Sequence, residues 1–471
     1  MSEEIGCFSC LNIGGIVYWC QNQKSKGVQK NMRWRGWRWG CLISAVLMAF
    51  LLPVQKVQAG HALELANEQG YNLEERYQPA GAIVTEINTG MILWEEDGEK
   101  LWHPASMTKL MTILLAYDAM EDGQFSLDTE VAVTEKYVDI GSRYAMSNNR
   151  MQMGVSYTVS ELIELIIVPS SAAATYMLAD MVEPDAAKFV EKMNRKAKEI
   201  GMSETMYYNC VGVRNELLQP YHPEGIPLES DNITTPKDYA LLCSYFVKKY
   251  PDILNHTSKT ELVVKAGTPY EERFKTYQIS LEGAKYELEG TDGLKTGSSD
   301  TGGFNYSSTA KRGDTRLVEI IMGVSTWDDQ TGEEKRHLVG NAVMEHVFQE
   351  YEYKCILPKG EHTVAGKEII TREDLWDCVK KDSKLKFTLK DGRVQLVADR
   401  KFLPGYQAQE VSYELKSEIK AQKIKTVIFR ILKGIGVLFL MLVLAVGARI
   451  GYVYYRKQQR KRRRRRRRRK K

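Results

Sequence analysis

The sequence predicts an α/β layered domain at about residues 66–350, then a smaller β-rich domain and one membrane-spanning helix, on three observations. Apolar and polar residues alternate, as in strands, at both ends of the first stretch, and a helix-rich middle separates them. Residues 353 to 412 carry short alternating runs and turn signals instead of long helical patterns. From Gly434 to Ala448 the chain is uncharged and strongly apolar.

Taken in order, GAIVTEINTGMILWEED over residues 81 to 97 alternates across Asn88-Thr89-Gly90, which predicts a β-hairpin. HPASMTKLMTILLAYDAMEDG follows from His103 to Gly123. It is apolar nearly all round, the mark of a buried central helix that Ser106 opens and Gly123 closes. VAVTEKYV, residues 131 to 138, is expected as a strand and TVSELIELIIV, 158 to 168, as a helix. EPDAAKFVEKMNRKAKEIGM, 183 to 202, is an amphipathic helix with Gly201 as its cap. Residues 291 to 325 predict two adjacent strands joined at Lys311-Arg312-Gly313-Asp314, and residues 335 to 350 a closing helix. In the smaller domain, FTLKDGRVQLVAD predicts a further pair of strands.

Charge and leader segments place the chain. The net charge is +6, but residues 456–471 carry +14 and residues 1–59 carry +5, so the stretch between them is at −13. An acidic core excludes a nucleic-acid-binding domain. CLISAVLMAFLLPV, Cys41 to Val54, follows Arg33, Arg35 and Arg38 and precedes Val57-Gln58-Ala59, the pattern of a signal peptide. Met32 would begin a leader of ordinary length, so residues 1 to 31 are expected to be a misassigned start. Cys7, Cys10, Cys20 and Cys41 all fall in this leader; Cys210, Cys243, Cys355 and Cys378 lie outside it and permit two disulfides without demanding them. The expected division is leader and signal peptide 1–59, main domain 66–350, small β domain 353–412, stem 413–426, transmembrane helix 427–455 and polybasic tail 456–471. Tyr452, Tyr454 and Tyr455 form an aromatic belt, and the basic tail predicts a cytoplasmic C-terminus with the main domain outside. Seven scattered histidines include no HExxH and no zinc spacing, and no phosphate loop or dinucleotide fingerprint occurs, so neither metal nor cofactor is expected.

Two motifs could carry chemistry. Ser106-Met107-Thr108-Lys109 is a Ser-x-x-Lys whose i, i+3 spacing puts both side chains on one helix face. A lysine among apolar neighbours loses its proton readily and can take the proton of a serine. The same motif serves equally as an N-cap serine beside a snorkelling lysine. Ser308, Ser383 and Ser417 begin copies of it, but only Ser106 opens a long apolar helix. Lys295-Thr296-Gly297 stands where an apolar strand should begin, which would let a substrate backbone lie along the strand edge while the cation binds a carboxylate. Alone it could be a surface turn. His103 is expected to be a turn residue, and Trp94, Trp102 and Trp327 core or cleft-rim residues.

Ser-x-x-Lys followed at a domain's length by Lys-Thr-Gly resembles the penicillin-binding proteins and serine β-lactamases. The phrases PASMTKLMT, VTEKYV, TVSELIELIIVPSSAAATYMLAD, ITTPKDYALLCSYFVKKYP and GTDGLKTGSSDTGGFN resemble the D-alanyl-D-alanine carboxypeptidases among them, in family order over roughly residues 75 to 350. The resemblance implies a transpeptidase-type fold, an antiparallel sheet flanked by helices, and a secreted enzyme that removes the terminal D-alanine of peptidoglycan stem peptides and binds β-lactams. Ser106 would form the acyl-enzyme and Lys109 would be its base. Lys295, Thr296 and Gly297 would hold the substrate, and the amides of Ser106 and Ser298 would form an oxyanion hole.

The family's Ser-x-Asn falls on Ser170-Ser171-Ala172, with Ser170 as a proton relay and alanine in place of the asparagine. Loss of one buried polar contact costs about 1 to 3 kcal/mol, an expected slowing of about ten- to two-hundredfold. Ser147-Asn148-Asn149 and Ser230-Asp231-Asn232 have similar letters, but the first lies in a polar loop and the second precedes a later helix. The basic residue the family often carries after the strand resembling IIMGVST is missing, and Ser325 stands there. Relatives also tend to lie on the membrane rather than span it. The expectation is a single-pass membrane enzyme with an extracellular catalytic domain, acting on stem peptides, touching anionic lipid through its basic tail and binding no nucleic acid. A weakly active or non-catalytic wall-peptide binding protein and a β-lactamase are the alternatives.

Overall fold

The computed structural model describes residues 61–469. The expected leader and signal peptide, with their four cysteines, lie outside the described residues.

Period-2 patterning builds the central sheet. β1 (Gly81–Glu86) and β2 (Met91–Glu96) form the expected hairpin, with Gly90 at φ +65° in its turn. β3 (Thr291–Ser299), β4 (Gly303–Arg312) and β5 (Thr315–Val324) follow one another antiparallel, the last two joined by Gly313-Asp314. Across the sheet the order is a short strand Lys401–Phe402, then β2, β1, β5, β4 and β3, so β3 is an edge.

Both faces of this sheet are covered. The helices are α1 (Ala62–Glu68), α2 (Lys109–Glu121), α3 (Val159–Ile167), α4 (Ala172–Val182), α5 (Ala186–Ile200), α6 (Pro236–Lys249) and α7 (Gly332–Glu350). Successive strand residues point to opposite faces. Ile83, Ile320 and Met322 therefore pack with α2, α3, α4 and α6, while Ala82, Val84, Leu317 and Ile321 pack on α1 and α7. Ten of the thirteen residues of α2 are buried, so it is the central helix its sequence predicts. Truncating Leu110 or Leu114 within it would cost about 2–5 kcal/mol.

Local signals set the helix ends. Thr158 and Glu161 form a capping box on α3, Asp185 caps α5, and Gly201 ends α5 at φ +99°. Two expectations fail. Residues 291–325 form three strands rather than two, with an additional turn at Asp300-Thr301-Gly302. Of VAVTEKYV only the first two residues belong to a strand, Glu130–Ala132, while Glu135–Gly141 is a helix. Thr134 at the helix boundary and Glu135 in its first turn override the β-branched residues. The closing helix begins at Gly332, three residues before the expected Lys335.

Beyond α7, β6 (Tyr351–Leu357), β7 (Gly360–Val364), β8 (Lys367–Thr371), β9 (Leu375–Lys380), β10 (Phe387–Lys390), β11 (Arg393–Leu396), β12 (Lys401–Phe402) and β13 (Glu410–Leu415) follow. The order β7-β8-β13-β11-β10 makes a five-stranded sheet with its own apolar core, while β6 pairs with β9. Asp391-Gly392 turns the β10–β11 hairpin with both residues at positive φ. The stem does not stand apart: one helix, α8 (Lys416–Arg468), runs through it, through the apolar segment and into the basic tail. It is long and apolar enough to cross a membrane.

Candidate active site

Ser106 lies in a 3-10 turn, Ala105–Thr108, that leads into α2. The turn holds Ala105 at φ +51°, a left-handed conformation that a Cβ disfavours. Packing behind it supplies the restraint. Gly212 sits so close that a Cβ there would come within 1.9 Å of the Ala105 carbonyl oxygen. Tyr239 donates its hydroxyl to the Met107 carbonyl at 2.7 Å, and Asn232 donates its amide to Thr108 Oγ1 at 2.9 Å. Asn232, the look-alike in Ser230-Asp231-Asn232, is thus a buried brace behind the Ser106 turn. His103 contacts the Asn232 carbonyl at 3.0 Å from an irregular stretch just before the Ser106 turn.

Lys109 is 1% exposed, and its Nζ lies 2.9 Å from Ser106 Oγ. It also donates to the Ser170 carbonyl at 2.7 Å and to Ser170 Oγ at 3.1 Å. Ser170 follows α3 at φ +62° and turns its hydroxyl into the cleft, whereas Ser171 caps α4 by accepting the Ala174 N–H. From β3, Lys295 Nζ reaches the same Ser170 Oγ at 3.0 Å and the Thr296 carbonyl at 3.0 Å. Two lysines 186 residues apart therefore meet at one hydroxyl. None of the other Ser-x-x-Lys serines has this setting: Ser308 is inside β4, Ser383 in a turn and Ser417 on α8.

The edge of β3 lies against the Ser106 turn. A Cβ on Gly297 would stand 2.4 Å from the Pro104 carbonyl oxygen and 2.9 Å from the Met107 nitrogen, so only glycine fits. Ser106, Ser170, Thr296 and Ser298 line one cleft of about 200 Å³. Among the other residues that line it are Ser147, from the look-alike Ser147-Asn148-Asn149, and Arg336, which no motif reveals. Arg336 comes from α7, 1% exposed, and donates to Ser298 Oγ at 2.8 Å and to the Asn305 carbonyl at 3.1 Å. It brings a cation to the cleft although Ser325 stands at the expected position. Its signal in the sequence is Lys335-Arg336-His337 entering an apolar helix, where not all three can face solvent. Trp327 lines the same cleft, stacked on Phe304, while Trp94 is core and Trp102 donates to the Gly302 carbonyl.

Burial and like charge tune these cations. Desolvation pulls Lys109 down to about 7. Lys295 is held well below the usual lysine range by burial, then by Lys109 and Arg336, and burial lowers Arg336 to about 10. The nearest carboxylate to Arg336 is Glu333, at 3.7 Å. Such a cleft favours an anion, and its lysine is poised to accept a proton near neutral pH. Among the described residues no group of three or more His, Cys, Asp or Glu side chains could hold a metal ion. Cys210, Cys243, Cys355 and Cys378 are all unpaired.

An antiparallel sheet between helical layers, with a serine and a lysine beneath its edge strand, defines a serine-type peptidase of the penicillin-binding class. The chain belongs to the D-alanyl-D-alanine carboxypeptidase family: the family model Peptidase S11, described by that activity, matches residues 71–326. A model for a domain of unknown function, DUF1958, matches residues 353–414. The chain is 25% identical over 329 residues to the D-alanyl-D-alanine carboxypeptidase DacF of Bacillus subtilis, an alignment spanning 70% of this chain and 76% of DacF. It is 26% identical over 259 residues to DacA of Escherichia coli, covering 54% and 59% of the two. Among solved structures, PBP3 of Streptococcus pneumoniae, described as a peptidoglycan synthesis regulatory factor, superposes with a TM-score of 0.60 at 24% identity, over 72% of this chain and 99% of that one. Penicillin-binding protein 6B of Escherichia coli gives 0.56 at 20% identity, over 71% and 95%. These two share the fold.

Proposed function

We propose that the chain is a membrane-anchored carboxypeptidase that removes the terminal D-alanine from peptidoglycan stem peptides through an acyl-enzyme on Ser106, and that β-lactams acylate the same serine. The observation that carries this is Lys109 Nζ at 2.9 Å from Ser106 Oγ, buried and shifted to about 7. The substrate carboxylate binds at Lys295, Thr296 and Arg336, and its negative charge favours the protonated form of Lys295. Lys109 takes the Ser106 proton as Oγ attacks the carbonyl of the penultimate D-alanine. The N–H groups of Ser106 and Ser298 hold the oxyanion. The C–N bond then breaks, the leaving D-alanine amine receives its proton through the Ser170 hydroxyl, and water hydrolyses the ester left on Ser106. The reading extends to α8 as a single membrane span, with the catalytic domain outside and the basic tail on anionic lipid inside.

The full chain in detergent, incubated with benzylpenicillin and weighed intact, should gain one adduct that maps to the Ser106 peptide. Ser106→Ala should abolish both the adduct and D-alanine release from a pentapeptide. Turnover of the adduct within seconds would instead favour a β-lactamase, and binding without any adduct a non-catalytic protein.

A further inference from the structure

The cleft lacks an amide where the resemblance expects asparagine, since Ala172 is fully buried. Its surroundings are occupied by the loop over residues 142–155, which lies across the N-terminus of α4. Three consecutive loop residues bind three consecutive residues at the start of α4, its N-cap Ser171 and the first two helical residues. The Ser147 carbonyl accepts the Ala172 N–H at 2.9 Å, Asn148 Oδ1 accepts the Ala173 N–H at 2.9 Å, and Asn149 Oδ1 accepts the Ser171 hydroxyl at 2.7 Å. Asn148 also donates to the Ile140 carbonyl at 3.0 Å, and Asn149 is 3% exposed. Both amides are therefore committed to holding the loop, and neither is free to meet a ligand.

This register delivers the side chain before them to the cleft. Ser147 is exposed, and it lines the same cavity as Ser106, Ser170 and Ser298. Its hydroxyl has no hydrogen-bond partner among the described residues. A hydroxyl donates one hydrogen bond and accepts others, so it can meet a peptide N–H or C=O as a carboxamide would. An extended peptide pairing with the β3 edge on one side presents its remaining amide groups to the facing wall, and Ser147 stands on the wall built by α4 and its loop. We propose that Ser147 contacts the substrate, its hydroxyl binding the amide on the acyl side of the scissile bond, a contact Ala172 cannot make. Asn148 and Asn149 are the positioning residues that hold it. The inference rests on the acyl-enzyme reading of Ser106.

Two probes separate the two readings: benzylpenicillin, which carries an acyl amide on its ring, and 6-aminopenicillanic acid, which has the same ring and carboxylate without that amide. In the full chain, Ser147→Ala should slow acylation by benzylpenicillin roughly tenfold and leave the rate with 6-aminopenicillanic acid unchanged. Ser147→Thr, which keeps the hydroxyl, should retain most of the rate. On an N-acetylated peptide ending in D-Ala-D-Ala, the Ser147→Ala defect should appear in KM. Equal slowing with both probes would make Ser147 a structural residue and overturn the proposal, as would no slowing with either. A wild-type chain acylated by neither probe overturns the Ser106 reading itself.

Discussion

Lys109 shows how the cleft sets function against stability. Lysine ordinarily titrates near 10.5, and burial lowers this one to about 7. Between those values the unfolded chain holds a proton that the folded chain does not, so the contribution of this residue to stability rises with pH across that window. Lys109→Met should therefore melt no lower than wild type at pH 7, with an advantage that shrinks toward pH 10, while losing acylation altogether. A lower melting temperature at pH 7 would show that the bonds to Ser170 outweigh the desolvation. In the wild type, the acylation rate by a penicillin should climb as pH passes through about 7 and then level off, because only the unprotonated amine can take the Ser106 proton. A rate flat from pH 5 to 9 by stopped flow would remove Lys109 as the base. Ser170 and Ser171 divide the work at the next corner, one facing the cleft from a left-handed backbone and the other capping α4.

Among the elements, the edge strand and the Ser106 turn form one unit. Lys295 lies opposite Ser307 and Gly297 opposite Asn305, so β4 fixes the register that aims Lys295 at Ser170. Gly297→Ala puts a methyl against the Pro104 carbonyl, where overpacking costs about 1–3 kcal/mol. We expect a melting temperature lower by a few degrees and an acylation rate down at least a hundredfold, since β3 must move away from Ser106. A wild-type rate in that variant would show that the spacing does not matter. The elements also show where periodicity succeeds and fails. The hairpins, the all-apolar α2 and the capped α5 were legible because local signals and tertiary demands agree there. The stretch Val131 to Val138 was not, because its β-branched letters compete with a helix-starting Thr134-Glu135 pair and packing chose the helix.

At the scale of the whole molecule, the two folded parts are stitched together. β12, between strands β11 and β13 of the small sheet in sequence, pairs instead with β2 of the central sheet, which leaves β2 no free edge there. Tyr406 packs so closely on Gly90 that a Cβ would lie 2.2 Å from its ring, and Arg400 pairs with the buried Asp377 at 2.5 Å. From this base α8 continues for 53 residues, about 80 Å at helical rise. Only its middle is apolar, and lysines precede it as arginines follow it. With the proposed orientation, an epitope appended after Lys471 should be hidden on intact cells and bind antibody only once they are permeabilised. Binding to intact cells would invert the topology.

The sequence by itself determined the Ser-x-x-Lys and Lys-Thr-Gly pair, the apolar span and its charge asymmetry, and most helices and hairpins. Each of these is written in residues a few positions apart, within reach of helical or strand periodicity. Tertiary structure alone decided which polar groups share the cleft. Ser170 joins Lys109 across 61 positions and Lys295 across 125, and no local pattern encodes contacts at such separations. Arg336 enters because α7 packs it inward together with His337 and leaves Lys335 toward the surface, and Ser147 because two asparagines pin its loop to α4. Asn232, whose motif only shares letters with the family's Ser-x-Asn, was drawn behind the Ser106 turn for the same reason: a buried polar group must find a partner wherever the fold supplies one.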